Sequence, residues 1–242
     1  MKIESENALL TVHLSGVCFD HSPVEAKKHD GEDHPYISIV VDLNSTCKSD
    51  DEVIPCQIIA WDAEAIKLSK KEKDDTIEVL AMPIPASTEF PDIPAFQAVH
   101  VISKYTDAAH FSQETYRALF CGNGSQPELL NTINFSAAMT EEVECKKIQF
   151  GKETLNFAFT VVDLDSAAKE EGQVIPCRVV AWDAEAIRLS HLPKGTKFGF
   201  LAEPIAMRQK GSRDTLAFRI TNIQTDRRDS ISKECFIRLF DC

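Results

Sequence analysis

A chain of 242 residues, 43% hydrophobic and 26% charged, has room for one large domain or two small ones. No apolar run approaches the ~18–20 residues that span a bilayer, and the start of the chain is too polar for a secretory leader, so the expectation is a cytoplasmic protein with no membrane partner. The net charge of −12 argues against a uniformly polyanion-binding surface, but it is uneven: up to Cys121 ten Lys and Arg stand against twenty-one Asp and Glu, a balance of −11, while the rest of the chain balances at −1.

In chain order, stretches of period two rich in Val, Ile, Leu and Phe fall at 9–17, 36–43, 53–61, 76–85 and 95–102 and read as strands. One helical phrase follows the third of them. Asp62 is placed to cap it, Glu64 complements its dipole, and Ala and Ile at helical spacing are expected to face inward. After a loop-forming Cys-Gly-Asn-Gly-Ser-Gln-Pro-Glu at 121–128 the series resumes, with strands at 130–138, 154–164, 174–182, 196–206 and 215–223 and a second helix from Asp183.

The second series is a copy of the first. An offset of 121 pairs VIPCQIIAWDAEAIKLS (53–69) with VIPCRVVAWDAEAIRLS (174–190), SIVVDLNS (38–45) with FTVVDLDS (159–166), and Pro83-Ile84 with Pro204-Ile205. With small slips it pairs EAKK (25–28) with ECKK (144–147) and Ala95-Phe96 with Ala217-Phe218. The expected domains are therefore 1–121 and 122–242, each within the size range of one folding unit. A flexible stretch of about seven residues between them reaches only ~14 Å, which sets the units side by side. Five strands with a helix between the third and fourth is the order of an OB-fold. The expected class is all-β with one short helix per domain, two five-stranded OB-fold barrels in tandem.

Alternate residues of a strand share a face. Along the third strands, Ile54, Cys56, Ile58 and Ala60, and Ile175, Cys177, Val179 and Ala181, form the core set. Gln57 and Trp61, and Arg178 and Trp182, then lie on the opposite face. On the second strands Tyr36 and Ser38 join that face in the first copy, and Phe157 and Phe159 in the second. Aromatic rings beside a guanidinium suit an unpaired nucleic-acid strand, because bases stack on rings at about 1–3 kcal/mol each and the cation meets phosphate. A tryptophan at a strand end also packs under a helix or in an interface, so the phrase repeated around Trp61 and Trp182 is in part architectural.

On these residues both copies resemble the OB domain of bacterial single-stranded-DNA-binding proteins. VECKKIQFGKETLNFAFTVVDLD (143–165) is similar to the family's first hairpin and second strand. VIPCRVVAWDAEAIRLSHLPKGTKFGFLAEPI (174–205) is similar to its third strand, helix and Lys-Gly turn. The resemblance implies a phosphate-contacting role for Arg178 and a base-stacking role for Trp182. The first copy departs from it with Gln57 for Arg178 and with KKEKDDT (70–76) for the Lys-Gly turn. The hairpin before the last strand carries Arg208, Lys210, Arg213 and Arg219 in the second copy and no cation in the first. Lys146, Lys147 and Lys152 are further candidates for phosphate, and Trp61 and Tyr36 for a weaker first site. Family members end in a long acidic tail that recruits enzymes; IRLFDC does not resemble one.

Other chemistry finds little footing. His29, Asp30 and His34 could hold a metal, but their counterparts in QFGKET bear no ligands, and no metal is expected. Asp163 and Asp165 sit where turn-formers belong. No nucleophile triad or nucleotide loop is present, so neither an enzyme nor a cofactor is expected. Eight cysteines without a Cys-x-x-Cys pair read as reduced thiols. The expected function is sequence-independent binding of single-stranded DNA in replication, recombination or repair, with the second copy carrying most of the affinity and a homodimer supplying four OB domains. The competing expectation is a protein-interaction module whose acidic first half docks on a partner or mimics DNA. RNA on the same face is a third.

Overall fold

The computed structural model describes residues 11–29, 31–49, 51–87, 93–102, 133–207 and 215–224. The first half contains β1 (Val12–His21), β2 (Glu25–His29), β3 (Glu32–Leu43), β4 (Pro55–Trp61), helix α1 (Asp62–Leu68), β5 (Thr76–Ile84) and β6 (Ala95–Val101). The second contains β7 (Ile133–Met139), β8 (Lys146–Phe150), β9 (Glu153–Leu164), β10 (Pro176–Trp182), helix α2 (Asp183–Ser190), β11 (Lys197–Met207) and β12 (Thr215–Gln224). Strand order β1-β5-β6-β4-β3 closes through a β1–β3 pairing, and β7, β11, β12, β10 and β9 close in the same way. These are two five-stranded OB-fold barrels. The predicted boundary at 121/122 lies outside the described residues.

Period two sets the core. Ile37, Ile39 and Val41 of β3 and Ile54, Cys56, Ile58 and Ala60 on and beside β4 are buried, as are Ile175, Cys177, Val179 and Ala181 in the second barrel. Each large aliphatic side chain so buried contributes roughly 1.5–3 kcal/mol. Gly16 of β1 pairs with Ile77 on one side and Leu43 on the other. A Cβ there would stand 2.5 Å from the Asp42 carbonyl oxygen, so only glycine fits that crossing.

Each barrel carries a sixth strand absent from the sequence expectation. β2 and β8 pair only with β3 and β9 and extend the hairpin beyond the barrel. Glu-Ala-Lys-Lys-His and Lys-Lys-Ile-Gln-Phe are too charged and too short to stand out as strands, and Glu25 to Lys28, Lys146, Lys147 and Gln149 are exposed. Their register also corrects the slipped pairing of 25–28 with 144–147: Glu25 lies opposite Tyr36 and Lys146 opposite Phe157, so the offset of 121 holds here too.

The duplicated Trp-Asp-Ala-Glu-Ala-Ile builds the same joint twice. Trp61 and Trp182 remain extended, and Asp62 and Asp183 take left-handed φ values of +52° and +48° that turn the strand into the helix. The aspartates are therefore not the helix caps; neither helix has a side-chain cap bond. Asp is among the few residues that tolerate this conformation. The glutamates reach further than the helix dipole. The Val101 amide donates to Glu64 Oε2 at 2.6 Å, and the Ile223 amide to Glu185 Oε2 at 2.9 Å, fixing each helix to its last strand. Ala65 and Ala186 are fully buried, whereas Ile66 and Ile187 are 50% and 42% exposed and face outward, not inward.

The first copy replaces the missing Lys-Gly turn with Asp74 at φ +70°, in the place of Gly195 at +83°. Asp163 binds the Ile175 amide at 2.9 Å and Lys169 at 2.6 Å, and Asp165 accepts the Ser136 hydroxyl at 2.7 Å. Asp42 and Asn44 repeat these braces with Ile54, Lys48 and Ser15, so the Asp-Leu-Asp is a loop clamp. The five described cysteines are free, and desolvation pushes the buried Cys56 and Cys177 thiols well up. Among the described residues no helix is long and apolar enough to cross a membrane.

The barrels touch. β1 lies against β7 and β4 against β12, and the Cys47 thiol donates to Glu203 Oε2 of β11 at 3.0 Å.

Candidate nucleic-acid interface

Antiparallel partners stand side by side on the same face, so the ladder register assembles the site. Trp182 lies opposite Phe157, Val180 opposite Phe159 and Arg178 opposite Val161. β8 places Lys146 beyond Phe157, and β12 places Arg219 beside Val180. The outer face of the second barrel therefore carries one rung of Lys146, Phe157 and Trp182, a second of Phe159, Val180 and Arg219, and a third of Val161 and Arg178.

The rings are at the surface. Trp182 and Phe157 meet at 4.8 Å between centroids with planes at 58°, both only partly buried, and Phe159 is 39% exposed. Val180 is buried between them as the floor. Lys146, Lys147 and Lys152 are exposed. Lys147 faces the opposite side of the ribbon from Lys146, and Lys152 sits in the turn between β8 and β9. Arg219 is held by Glu203 at 2.8 Å, the same carboxylate that receives the Cys47 thiol, so its charge is neutralised on the spot. Arg178 stands where the two barrels meet, lining a cleft that Ile84 and Pro94 of the first barrel close from the other side. Arg208, Lys210 and Arg213 lie outside the described residues.

The same face of the first barrel is built differently. Tyr36 lies opposite Trp61, Ser38 opposite Ile59 and Val40 opposite Gln57. The Tyr36 and Trp61 rings meet edge to face at 4.8 Å, but Lys27 Nζ sits 3.5 Å above the Tyr36 ring centre. That cation–π contact occupies the surface a base would need. Gln57 is 1% exposed and donates to the Ser38 hydroxyl at 2.8 Å. Glu25 takes the place of Lys146. His34, weighed as a metal ligand, has its Nδ1 2.8 Å from Asp62 Oδ1.

Sequence reasoning missed Lys27, Glu25 and Glu203, each of which acts through a cross-strand neighbour. The signal lay in the strand register, which short charged ribbons do not disclose for Glu25 and Lys27 and which must be known before Glu203 can be set opposite Arg219.

No family model matches the chain, and no curated protein matches it. Among solved structures, a deletion variant of the single-stranded DNA binding protein from Thermus aquaticus superposes with a TM-score of 0.57 at 11% identity, covering 88% of this chain and 92% of that one. The wild-type protein gives 0.53 at 11% identity, covering 88% and 91%. At this identity the likeness is one of fold: a tandem OB-fold arrangement similar to those single-stranded-DNA-binding proteins along nearly the whole chain.

Proposed function

We propose that this protein binds single-stranded DNA without sequence preference, as part of replication, recombination or repair, and that the outer face of β8, β9 and β10 is its principal site. The observation that carries the reading is the rung of Lys146, Phe157 and Trp182 above the exposed Phe159: stacking surfaces next to a cation with no carboxylate bound to it among the described residues. The likeness to proteins that bind single-stranded DNA supports the same ligand. Nothing in this arrangement calls for a catalytic group. Arg178, Lys146 and Lys152 meet phosphate, with Lys147 on the back of the ribbon and Arg208, Lys210 and Arg213 as further candidates. Trp61 and Tyr36 contribute little, since Lys27 and Glu25 close their face. The reading includes a homodimer that brings four barrels together, checked by mass in solution.

Tryptophan emission tests this directly. Oligo-dT is expected to quench Trp182, so that Trp182→Phe abolishes the signal and Trp61→Phe retains it. Phe159→Ala should weaken binding by roughly 1–3 kcal/mol, the worth of one stacked base. Added salt should weaken it further through counterion release. Oligo-U in parallel separates DNA from RNA. Unchanged emission at low salt and saturating oligonucleotide would instead favour a protein-interaction module, the reading that the −11 balance of the first half supports.

A further inference from the structure

We infer that the unpaired strand runs on from the second barrel into the cleft between the barrels, where one nucleotide is held by walls from both halves of the chain; this rests on the binding face proposed above. From Trp182 to Arg178 is four residues along β10, about 13 Å, and the intervening rung of Phe159 and Val180 makes the path continuous. At its end lies a cleft of about 150 Å³ with Ile84, Ala86 and Pro94 of the first barrel facing Val161, Pro176 and Arg178 of the second. The walls are apolar and among the described residues no carboxylate lines them, although the first half as a whole carries −11. Arg178 makes no ion pair among the described residues. A lone guanidinium at the mouth of an apolar slot fits a ligand with a planar apolar body and a phosphate, and the aromatic face leads such a ligand to it. Gln57, at the matching place in the first copy, is buried and turned to Ser38, so the cleft receives its cation from one side only. The acidic barrel thus serves the site as a wall rather than as a second stacking surface.

The experiment uses the full chain and dye-labelled oligo-dT of graded length, followed by anisotropy beside Trp182 emission. Ala86→Phe, at an exposed position, fills the slot without touching the aromatic rungs. Arg178→Gln installs the residue of the first copy. Ala86→Phe should leave the shortest quenching oligonucleotides bound as before and lose about tenfold for longer ones, removing the wild-type gain in affinity with length; Arg178→Gln should lose about tenfold for the longer ones. Arg178→Gln should also reduce the salt slope by about 0.7, one single-strand phosphate contact. Wild-type affinity at every length in both variants, with Trp182 still quenched, overturns the cleft and spares the face. Absence of quenching at any length removes both. A change in solution mass of Ala86→Phe without oligonucleotide would assign the cleft to another polypeptide and also overturn the inference.

Discussion

His13 on β1 is buried, and desolvation pushes its imidazole down from about 6.5 to about 4. The unfolded chain therefore binds a proton between those values that the folded chain refuses. Stability contributed in this way is complete above about pH 6.5 and is lost as pH falls towards 4, by up to about 3 kcal/mol. Denaturant melts at pH 7 and pH 4.5 should show that loss, and His13→Leu should reduce it; an equal pH slope in the variant would assign the acid sensitivity elsewhere. Single residues were also where the sequence was most and least legible. Alternation correctly separated Ile175, Cys177, Val179 and Ala181 from Arg178 and Trp182, because a closed barrel enforces period two. It said nothing of Lys27 on the Tyr36 ring, since that contact depends on which residue of a polar ribbon lies across from which.

Among the elements, the joints from β4 into α1 and from β10 into α2 are built alike. Their left-handed aspartate, buried alanine and reaching glutamate recur in both copies, which gives a physical reason for the repeated Asp-Ala-Glu-Ala. Glu185→Ala should cost about 2 kcal/mol in chemical denaturation, because it leaves the Ile223 amide of β12 without its charged acceptor. Glu185→Gln keeps an acceptor oxygen and should recover roughly half of that. Hydrogen exchange at Ile223 should rise in step; an unprotected amide in the wild type would show that the latch does not hold. The sequence disclosed the helix but not its orientation. A helix of seven or eight residues has barely two turns, and the turn at aspartate, not the apolar pattern, decides that Ala65 and Leu68 face the barrel while Ile66 faces solvent.

At the scale of the molecule, duplication produced two barrels of one architecture and two unlike outer faces. If the face of the second barrel binds because of three side chains, giving those residues to the first barrel should open a second site. Register identifies the changes: Glu25→Lys restores the cation of the first rung, Lys27→Ile uncovers Tyr36, and Ser38→Phe supplies the ring that Phe159 provides. Removing one carboxylate and one lysine and adding one lysine leaves the first half less acidic, which favours a polyanion further. In a Trp182→Phe background, oligo-dT should then quench Trp61, and two short oligonucleotides should bind per chain of the triple variant where the wild type binds one. Quenching of Trp61 before any change would show that the first face is already open. A folded triple variant with silent Trp61 would mean that the difference between the halves lies beyond these rungs, in the −11 charge that surrounds them.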